Sequence, residues 1–108
     1  MSKNSNQEIQ ELQILEHNLQ NILMQKQAFQ MELSETEAAL KEIENSGEEV
    51  FKIIGQLMIK TEKEKVKKEL KDKQKILEIR TKTLEKQENL FTEQLEKLRE
   101  EIMKSVQK

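Results

Sequence analysis

Five apolar side chains recur at intervals of seven residues in the C-terminal half of the chain. They are Leu70, Leu77, Leu84, Phe91 and Leu98. Side chains seven residues apart lie on one side of an α-helix, and a repeat sustained over this length is typical of a coiled coil. The pattern predicts one long helix over about residues 62–107, and the segment TEKE at 61–64 has the form of a capping box that would begin it.

The second seam position of this helix is expected three residues after each apolar one. The residues there are all polar, namely Lys73, Arg80, Gln87 and Gln94. Apolar side chains from the flanks would then have to share the packing, and those available are Ile76, Ile79, Leu90 and Leu95. The pattern therefore predicts a firm but imperfect contact with a second helix.

The N-terminal half contains a matching pattern, with spacings that alternate between three and four residues. The positions are Leu12, Leu15, Leu19, Ile22, Lys26, Phe29, Leu33, Thr36, Leu40 and Ile43, of which eight are apolar. This is again the seam of a coiled coil. The segment SNQE at 5–8 has the form of a capping box, and Gly47 provides a stop, which predicts a helix over about residues 6–45.

The two halves carry opposite net charges. Residues 1–45 contain three Lys and eight acidic residues, whereas residues 62–108 contain fourteen Lys or Arg and eleven acidic residues. Opposite charges favour two helices that lie side by side, and we expect them to be antiparallel. Pairing about the middle of the chain would place Phe29 near Leu77 and Leu15 near Phe91.

The segment VFKIIGQLMIK at residues 50–60 interrupts the charged halves with β-branched and apolar residues. It predicts a β-hairpin over about 49–60. The turn is expected at Ile54-Gly55-Gln56-Leu57, because a tight turn needs a positive φ that glycine adopts without steric cost. Val50, Lys52 and Ile54 would point to one face, and Phe51 and Ile53 to the other.

A single two-stranded hairpin with apolar side chains on both faces is marginally stable in water. We expect hairpins of other subunits to cover it and to form a larger sheet or barrel. The expected assembly residues are Val50, Phe51, Ile53, Ile54, Gly55, Leu57, Met58 and Ile59. The alternative is a buried turn between the helices of a plain coiled-coil dimer.

Composition argues against several classes of protein. The chain lacks Cys, Trp, Tyr and Pro, and its hydrophobic fraction of 34% is low for a globular core. His17 is the only histidine, with no ligand set beside it, so no metal site, cofactor or enzymatic activity is expected. The Lys-rich segment 63–75 has interspersed acidic residues and no aromatic residue, which argues against nucleic-acid binding. Without an apolar run long enough to cross a membrane, we expect a soluble cytoplasmic protein.

The central segment resembles the β class of prefoldin, the archaeal type that is also similar to eukaryotic prefoldin subunit six. The pattern V-[FY]-K-x-[IV]-G-x-L-x-[IV]-K is matched at Val50, Phe51, Lys52, Ile54, Gly55, Leu57, Ile59 and Lys60. The resemblance implies a mainly α fold, a long antiparallel two-helix coiled coil with a single central β-hairpin that assembles into an intersubunit β-barrel. Residues 1–108 would form one prefoldin-like domain.

The resemblance also implies a function. Two α-type and four β-type subunits would form a hexamer that binds unfolded polypeptides without ATP and delivers them to a group II chaperonin. Both chain ends would form the tip of each coiled coil, where the expected client-binding residues are Ile9, Leu12, Ile14, Leu15, Leu95, Leu98, Ile102, Met103 and Val106. Leu12, Leu15, Leu95 and Leu98 fit the seam equally well, whereas Ile14 and Met103 lie outside it. The alternative function is a structural coiled-coil tether or scaffold that only dimerises.

Overall fold

The computed structural model describes residues 5–106 of the chain. Helix α1 spans Ser5–Glu44, strand β1 Glu49–Ile54, strand β2 Leu57–Glu62 and helix α2 Lys63–Val106. The predicted fold class, two long helices joined by one antiparallel hairpin, is confirmed. The end predicted for the second helix, at residue 107, lies outside the described residues. Neither helix, within the described residues, has a stretch that is apolar enough to cross a membrane.

Helix α1 ends at a short turn, in which Asn45 and Ser46 donate hydrogen bonds to the last carbonyl groups of the helix. The backbone N–H of Asn45 donates to the carbonyl of Glu42, and that of Ser46 donates to the carbonyl of Ile43, both at 3.2 Å. The Ser46 hydroxyl also donates to the Ile43 carbonyl at 2.7 Å. These bonds satisfy carbonyl groups that the end of a helix leaves without an intrahelical partner.

The hairpin has a two-residue turn at the predicted place. Ile54 pairs with Leu57, and the antiparallel register continues to Glu49 opposite Glu62. Gly55 has a φ of 59°, in the left-handed region that glycine enters without steric cost. The register confirms that Val50, Lys52 and Ile54 share one face, because directly paired residues point to the same side of the sheet.

The chain divides into two compact units, each of which contains part of both helices. The first unit comprises residues 1–27 and 82–108, of which 5–27 and 82–106 are described. Its buried apolar side chains are Ile22, Leu84, Leu95 and Leu98. Lys26, at a polar seam position of α1, donates to Glu88 on α2 at 3.1 Å and lies 3.9 Å from Glu85. This partly buried ion pair allows a lysine to occupy the seam, because the ammonium group keeps a partner there.

The second unit comprises residues 28–81 and contains the hairpin. Thr36, Ile43 and Leu77 are buried in it. The Thr36 hydroxyl donates to the carbonyl of Glu32 at 2.7 Å, and the Thr81 hydroxyl donates to that of Leu77 at 2.8 Å. Both threonines thus satisfy their hydroxyl groups within their own helices, and their methyl groups remain available for packing.

The seam of α1 agrees with the sequence pattern, whereas one seam position of α2 was wrongly predicted. All ten predicted seam positions of α1 are buried or half-buried, and so are the five heptad positions of α2 from Leu70 to Leu98. The second seam position of α2 lies four residues after each of these, not three, at Gln74, Thr81, Glu88, Leu95 and Ile102. The residues predicted there, Lys73, Arg80, Gln87 and Gln94, are exposed, and so are Ile76, Ile79 and Leu90. Only Leu95, among the flanking residues expected to share the packing, is buried.

The register of the helices also differs from the one predicted. In the second unit, Glu44 forms an ion pair with Lys67, whereas the predicted pairing of Phe29 with Leu77 would place it opposite Glu62. In the first unit, Arg99 contacts Glu16 at 3.4 Å, which places the stretch around Arg99, not Phe91, opposite this part of α1. The reason is the position of the turn: the predicted pairs are centred on Ile53, whereas the hairpin closes at Gly55 and Gln56, and the strand register fixes where α2 begins.

Zero-length crosslinking with a carbodiimide is expected to recover this register. The reagent joins a lysine amine to a carboxylate that is already in contact, and the Lys26–Glu88 and Lys67–Glu44 pairs lie 3.1 and 2.5 Å apart. Peptide mass spectrometry should therefore identify both crosslinks within a single chain. Crosslinks of Lys41 to carboxylates around position 65, which pairing about the middle of the chain would favour, would contradict the observed register.

Candidate functional site

The outward face of the hairpin is an apolar surface without cover from the chain itself. Phe51, Ile53 and Met58 lie on this face and are 61%, 71% and 67% exposed. Ile53 is paired with Met58, and Phe51, two residues before Ile53 in β1, points to the same side of the sheet. Three large neighbouring apolar side chains exposed on one small sheet mark a surface for association with other protein.

The end of this face that lies away from the turn is charged. Lys60, paired with Phe51 in the strand register, has its ammonium group 2.9 Å from the carboxylate of Glu49. Both side chains are well exposed, so the ion pair adds little stability. Its effect is to border the apolar surface with polar groups, which is the usual arrangement of an interface.

The inward face of the hairpin points towards the first turns of α2. Lys52 donates a hydrogen bond to Glu69 on α2 at 2.7 Å, and this contact lowers the pKa of the Glu69 carboxyl. The bond stabilises the folded chain at a pH above the ordinary carboxyl pKa. This stabilisation is lost as the pH falls through the lowered pKa of Glu69. Ile54, Leu57 and Ile59 share the face and remain exposed.

Both edges of the hairpin offer backbone groups to a further strand. The N–H of Lys63 donates to the carbonyl of Glu48 at 3.1 Å and continues the ladder of hydrogen-bonded pairs. In an antiparallel sheet such pairs alternate with pairs whose backbone groups point outward, and the alternation places Ile53 and Met58 in the outward set. The sheet has only these two strands within residues 5–106, so both edges are open to pairing.

Contacts between the two helices hold the base of the hairpin. Lys67 forms an ion pair with Glu44 at 2.5 Å, and the Lys63 ammonium donates to the carbonyls of Ser46 and Glu44 at 3.1 and 3.4 Å. The hydrogen bond between Lys67 and Glu44 lowers the pKa of the Glu44 carboxyl and raises that of the Lys67 ammonium. The lysines at the start of α2 thus bind the end of α1, where carbonyl groups concentrate negative partial charge.

The predicted client-binding residues at the helix ends fall into two groups. Ile9, Ile14, Met103 and Val106 are exposed, with Val106 at 74% and Ile14 at 60%. Leu12, Leu15 and Ile102 are half-buried along the seam, and Leu95 and Leu98 are each only 6% exposed. The exposure of Ile14 and Met103 agrees with their positions outside the seam.

Helical spacing brings two of the exposed residues to the same side of the first unit. Glu16 and Arg99 face each other across the helices at 3.4 Å. Ile9 is seven residues before Glu16, and Met103 is four residues after Arg99, so each lies on the same side of its helix as the ion pair. Ile9 and Met103, with Val106 three residues further along α2, therefore form an exposed apolar patch at the helix ends, which we call the end patch.

Ile14 lies on a separate exposed face of α1, which it shares with Gln10, Gln13 and His17. These residues follow the spacing of one helix face, so α1 alone presents this surface. No group of residues suited to hold a metal ion occurs in the described part of the chain.

Sequence reasoning missed the charged contacts that position these surfaces. Lys52 was assigned to one face of the hairpin and matches the family pattern, but neither observation indicates Glu69 as its partner. Likewise Glu16 and Arg99 are two among many charged residues on the helix surfaces. The register of the hairpin, continued along the helices, would place Glu16 level with Leu95, one helical turn before Arg99, so this pair required the structure.

Comparison with known proteins places the chain in a family. Residues 6–108 match the family model described as prefoldin subunit. Prefoldin subunit beta of Pyrobaculum islandicum is 43% identical over 90 residues, which are 82% of this chain and 72% of that protein. Prefoldin subunit beta of Sulfurisphaera tokodaii is 43% identical over 93 residues, 84% of this chain and 74% of that protein.

Comparison of the fold with solved structures leads to the same family. The crystal structure of the prefoldin beta subunit from Thermococcus strain KS-1 matches with a TM-score of 0.85 and 37% sequence identity, over 94% of this chain and 90% of that chain. The similarity therefore includes the hairpin as well as both helices. With its two long helices, single hairpin and central V-F-K-x-I-G-x-L-x-I-K pattern, the chain belongs to the prefoldin subunit family, in its β class.

Proposed function

We propose that this chain is a subunit of an ATP-independent chaperone that assembles through its hairpin and binds unfolded polypeptides at its helix ends. Membership in the prefoldin family supports the chaperone-subunit role. The observation that carries the proposal is that large apolar side chains are exposed both on the hairpin and at the helix ends. Because the family model extends over residues 6–108, the whole chain is proposed to act as one prefoldin-like domain.

Assembly is proposed to occur through the hairpin, from Val50 to Ile59. Two strands alone do not form a stable sheet in water, and on this hairpin Phe51, Ile53 and Met58 remain exposed. Strands from other subunits would satisfy the open edges and cover the outward face, which supports a shared β-barrel. By family resemblance, the complex is a hexamer of two α-type and four β-type subunits.

Client binding is proposed to begin at the end patch, formed by Ile9, Met103 and Val106, and at Ile14. These side chains are exposed in the folded chain and need no rearrangement to contact an unfolded polypeptide. Each contact would be weak, but several helix ends tethered to one assembly act at a high effective concentration, which raises the overall affinity. Weak and separate contacts also suit clients that share no sequence.

The seam residues of the same region would contribute when the ends of the helices open. Leu12, Leu15 and Ile102 are half-buried, and Leu95 and Leu98 are buried against α1. Terminal turns are the least stable part of a helix, so opening costs less there than elsewhere in the seam. By resemblance to the family, the bound client would then pass to a group II chaperonin.

Replacing the apolar groups of the end patch is expected to weaken client binding. In the variant Ile9→Ser with Met103→Ser, the concentration of assembled chaperone that halves the aggregation of a chemically denatured reporter enzyme should rise on the order of tenfold, because weakened contacts multiply across tethered ends. Light scattering measures the aggregation, and native mass spectrometry verifies that the assembly is intact.

The chain offers a matched control in Leu23→Ser with Met24→Ser. These residues also lie in the first unit and are 41% and 68% exposed, against 44% and 57% for Ile9 and Met103. The control should suppress aggregation as the unmodified chain does. Equal activity of the two variants, or equal loss in both, would refute a specific role of the end patch.

A further inference from the structure

The side of α1 that faces away from α2 in the first unit carries no Lys, Arg, Asp or Glu between Gln10 and Asn21. Gln10 and His17 each lie two residues before a seam position, and two residues correspond to roughly 200° of rotation around an α-helix. The other outward positions flank these two. All of the residues on this surface are exposed, and we call it the amide face: Gln10, Gln13, Ile14, His17, Gln20 and Asn21.

Charged residues are common on the other surfaces of the first unit. The outward side of α2 carries Lys86, Glu93 and Glu100, all of them exposed. The acidic residues of α1 in this stretch, Glu11 and Glu16, lie beside the seam and not on the outer side. In a chain of which 37% is charged, the amide face is therefore a local feature of α1 and does not follow from the overall composition.

The carboxamide groups of the amide face make no hydrogen bond with any other residue among 5–106. This is the case for Gln10, Gln13, Gln20 and Asn21. Each carboxamide has two N–H donors and a carbonyl acceptor to offer to another molecule. Ile14, which is 60% exposed, lies among them and adds an aliphatic group. The amide face thus presents neutral hydrogen-bonding groups around an apolar centre.

A neutral surface of this kind suits a partner whose charge varies. Removing a neutral amide from water costs far less than removing an ionised group, and a hydrogen bond to the partner offsets this cost. An unfolded polypeptide has unpaired backbone N–H and carbonyl groups along its whole length, whereas its side chains carry either charge. A charged surface would repel segments of like charge. The chemistry of the amide face therefore matches the backbone of an unfolded chain.

We propose that the amide face binds extended segments of unfolded polypeptide through their backbone, whatever the charge of their side chains. The proposal rests on the chaperone function proposed above and adds a second contact surface to the end patch. Ile14 would lie at the centre of this surface. The amide face is about 16 Å long, a length that roughly five residues of an extended chain span. Segments this short occur in any unfolded client.

Charges introduced on the amide face should make client binding depend on the charge of the client. In Gln13→Glu with Gln20→Glu, the concentration of assembled chaperone that halves the aggregation of a denatured acidic reporter enzyme should rise on the order of fivefold, because like charges repel. A denatured basic reporter enzyme should be held at least as well as by the unmodified chain. Gln13→Lys with Gln20→Lys should reverse this preference, which a mere defect in folding would not do. Light scattering measures the aggregation, and native mass spectrometry verifies the assembly.

The chain offers a matched control in Gln87→Glu with Gln94→Glu. These residues are exposed in the same unit and are also seven residues apart, but they lie on α2 beside the seam. At physiological salt, charges more than about 8 Å apart are largely screened, so this control should hold both reporters within about twofold of the unmodified chain. An equal dependence on client charge in the control would attribute the effect to net charge and overturn the proposal.

Photo-crosslinking locates the contact directly. The photoreactive residue p-benzoylphenylalanine replaces Gln13, Gln20 or, as a control, Gln94 in the full chain, which is assembled with an α-type subunit and irradiated with a fluorescent denatured client. Positions 13 and 20 should crosslink to the client several-fold more than position 94, with yields for acidic and basic clients within about twofold of each other. Crosslinks to the α-type subunit in place of the client would identify the amide face as a subunit contact and overturn the proposal.

The outcomes separate the amide face from the proposed chaperone function. If the charged variants of the amide face hold both reporters as the unmodified chain does, the amide face has no role in client binding and the proposed function stands on the end patch. If the assembled unmodified chain suppresses the aggregation of neither reporter, the proposed function and the role of the amide face are refuted together.

Discussion

Replacing Ile53 by Asp in the full chain is expected to abolish its assembly with other subunits and leave both helices folded. Ile53 is 71% exposed at the centre of the outward face of the hairpin, and its backbone groups belong to the set that points to the open edge. An interface that covers this position would bury an unpaired carboxylate, which costs several kcal/mol, roughly a thousandfold or more in affinity. In the isolated chain the carboxylate is solvated and costs little.

Native mass spectrometry of the chain co-expressed with an α-type subunit measures the loss of the complex, and circular dichroism measures the helix content. The matched control is Gln56→Asp, which introduces the same charge at the exposed turn, three residues away, outside both strands. This control should assemble normally. A hexamer that persists in the Ile53→Asp variant would show that the outward face of the hairpin is not the assembly interface. It would favour a simple coiled-coil tether.

The hairpin is the part of the fold that the sequence predicts best. Gly55 is the only glycine between two β-rich runs, and a two-residue turn needs a positive φ, so the turn has one favourable position. Once the turn is fixed, the alternation of side chains follows from strand geometry. The faces of Val50, Lys52 and Ile54 could therefore be assigned without knowledge of any contact between the strands and the helices.

The register of the helices was not predictable from their own pattern. A heptad repeat is satisfied after every shift of seven residues, so a match between two seams does not select one alignment. The middle of the chain served as the reference, whereas the physical reference is the turn at Gly55 and Gln56. Lys26 and Glu88, a seam pair at 3.1 Å, could have provided a second reference if both had been recognised as seam residues.

The second seam position of α2 was predicted wrongly for a related reason. The set beginning at Lys73 is polar throughout, and the set beginning at Gln74 is polar as far as Glu88, so hydrophobicity does not distinguish them over most of the helix. The apolar residues Leu95 and Ile102 favour the second set, but only near the end of the helix. Upstream, the seam depends on Thr81 bonding to its own helix and on Glu88 pairing with Lys26. Hydrogen bonds of this kind are not visible in a pattern of apolar residues.

The candidate site was predictable in location more than in detail. Adjacent apolar residues such as Ile14 and Leu15 cannot both enter one seam, which correctly indicated exposed groups at the helix ends. Which of the seam leucines remain buried depends on the partner helix, so the burial of Leu95 and Leu98 required the structure.

Leu77→Ala is expected to destabilise the chain far more than Ile76→Ala does. The Leu77 side chain is 2% exposed in the seam of the second unit, and truncation of a buried leucine removes its transfer free energy and leaves a cavity. The free energy of unfolding should fall by about 2–4 kcal/mol, measured by chemical denaturation followed by circular dichroism. Ile76 is 49% exposed on the neighbouring side of the helix, and its truncation should cost about 0.5 kcal/mol or less.

The comparison decides between the two candidate seams of α2. If flanking isoleucines shared the packing, as the three-residue spacing predicts, the two variants would lose similar amounts of stability. In the observed seam, Leu77 is followed by Thr81, whose hydroxyl bonds to the Leu77 carbonyl at 2.8 Å, and Ile76 stays outside the contact. A large loss confined to Leu77→Ala supports this seam. Equal losses would contradict it and favour the three-residue spacing.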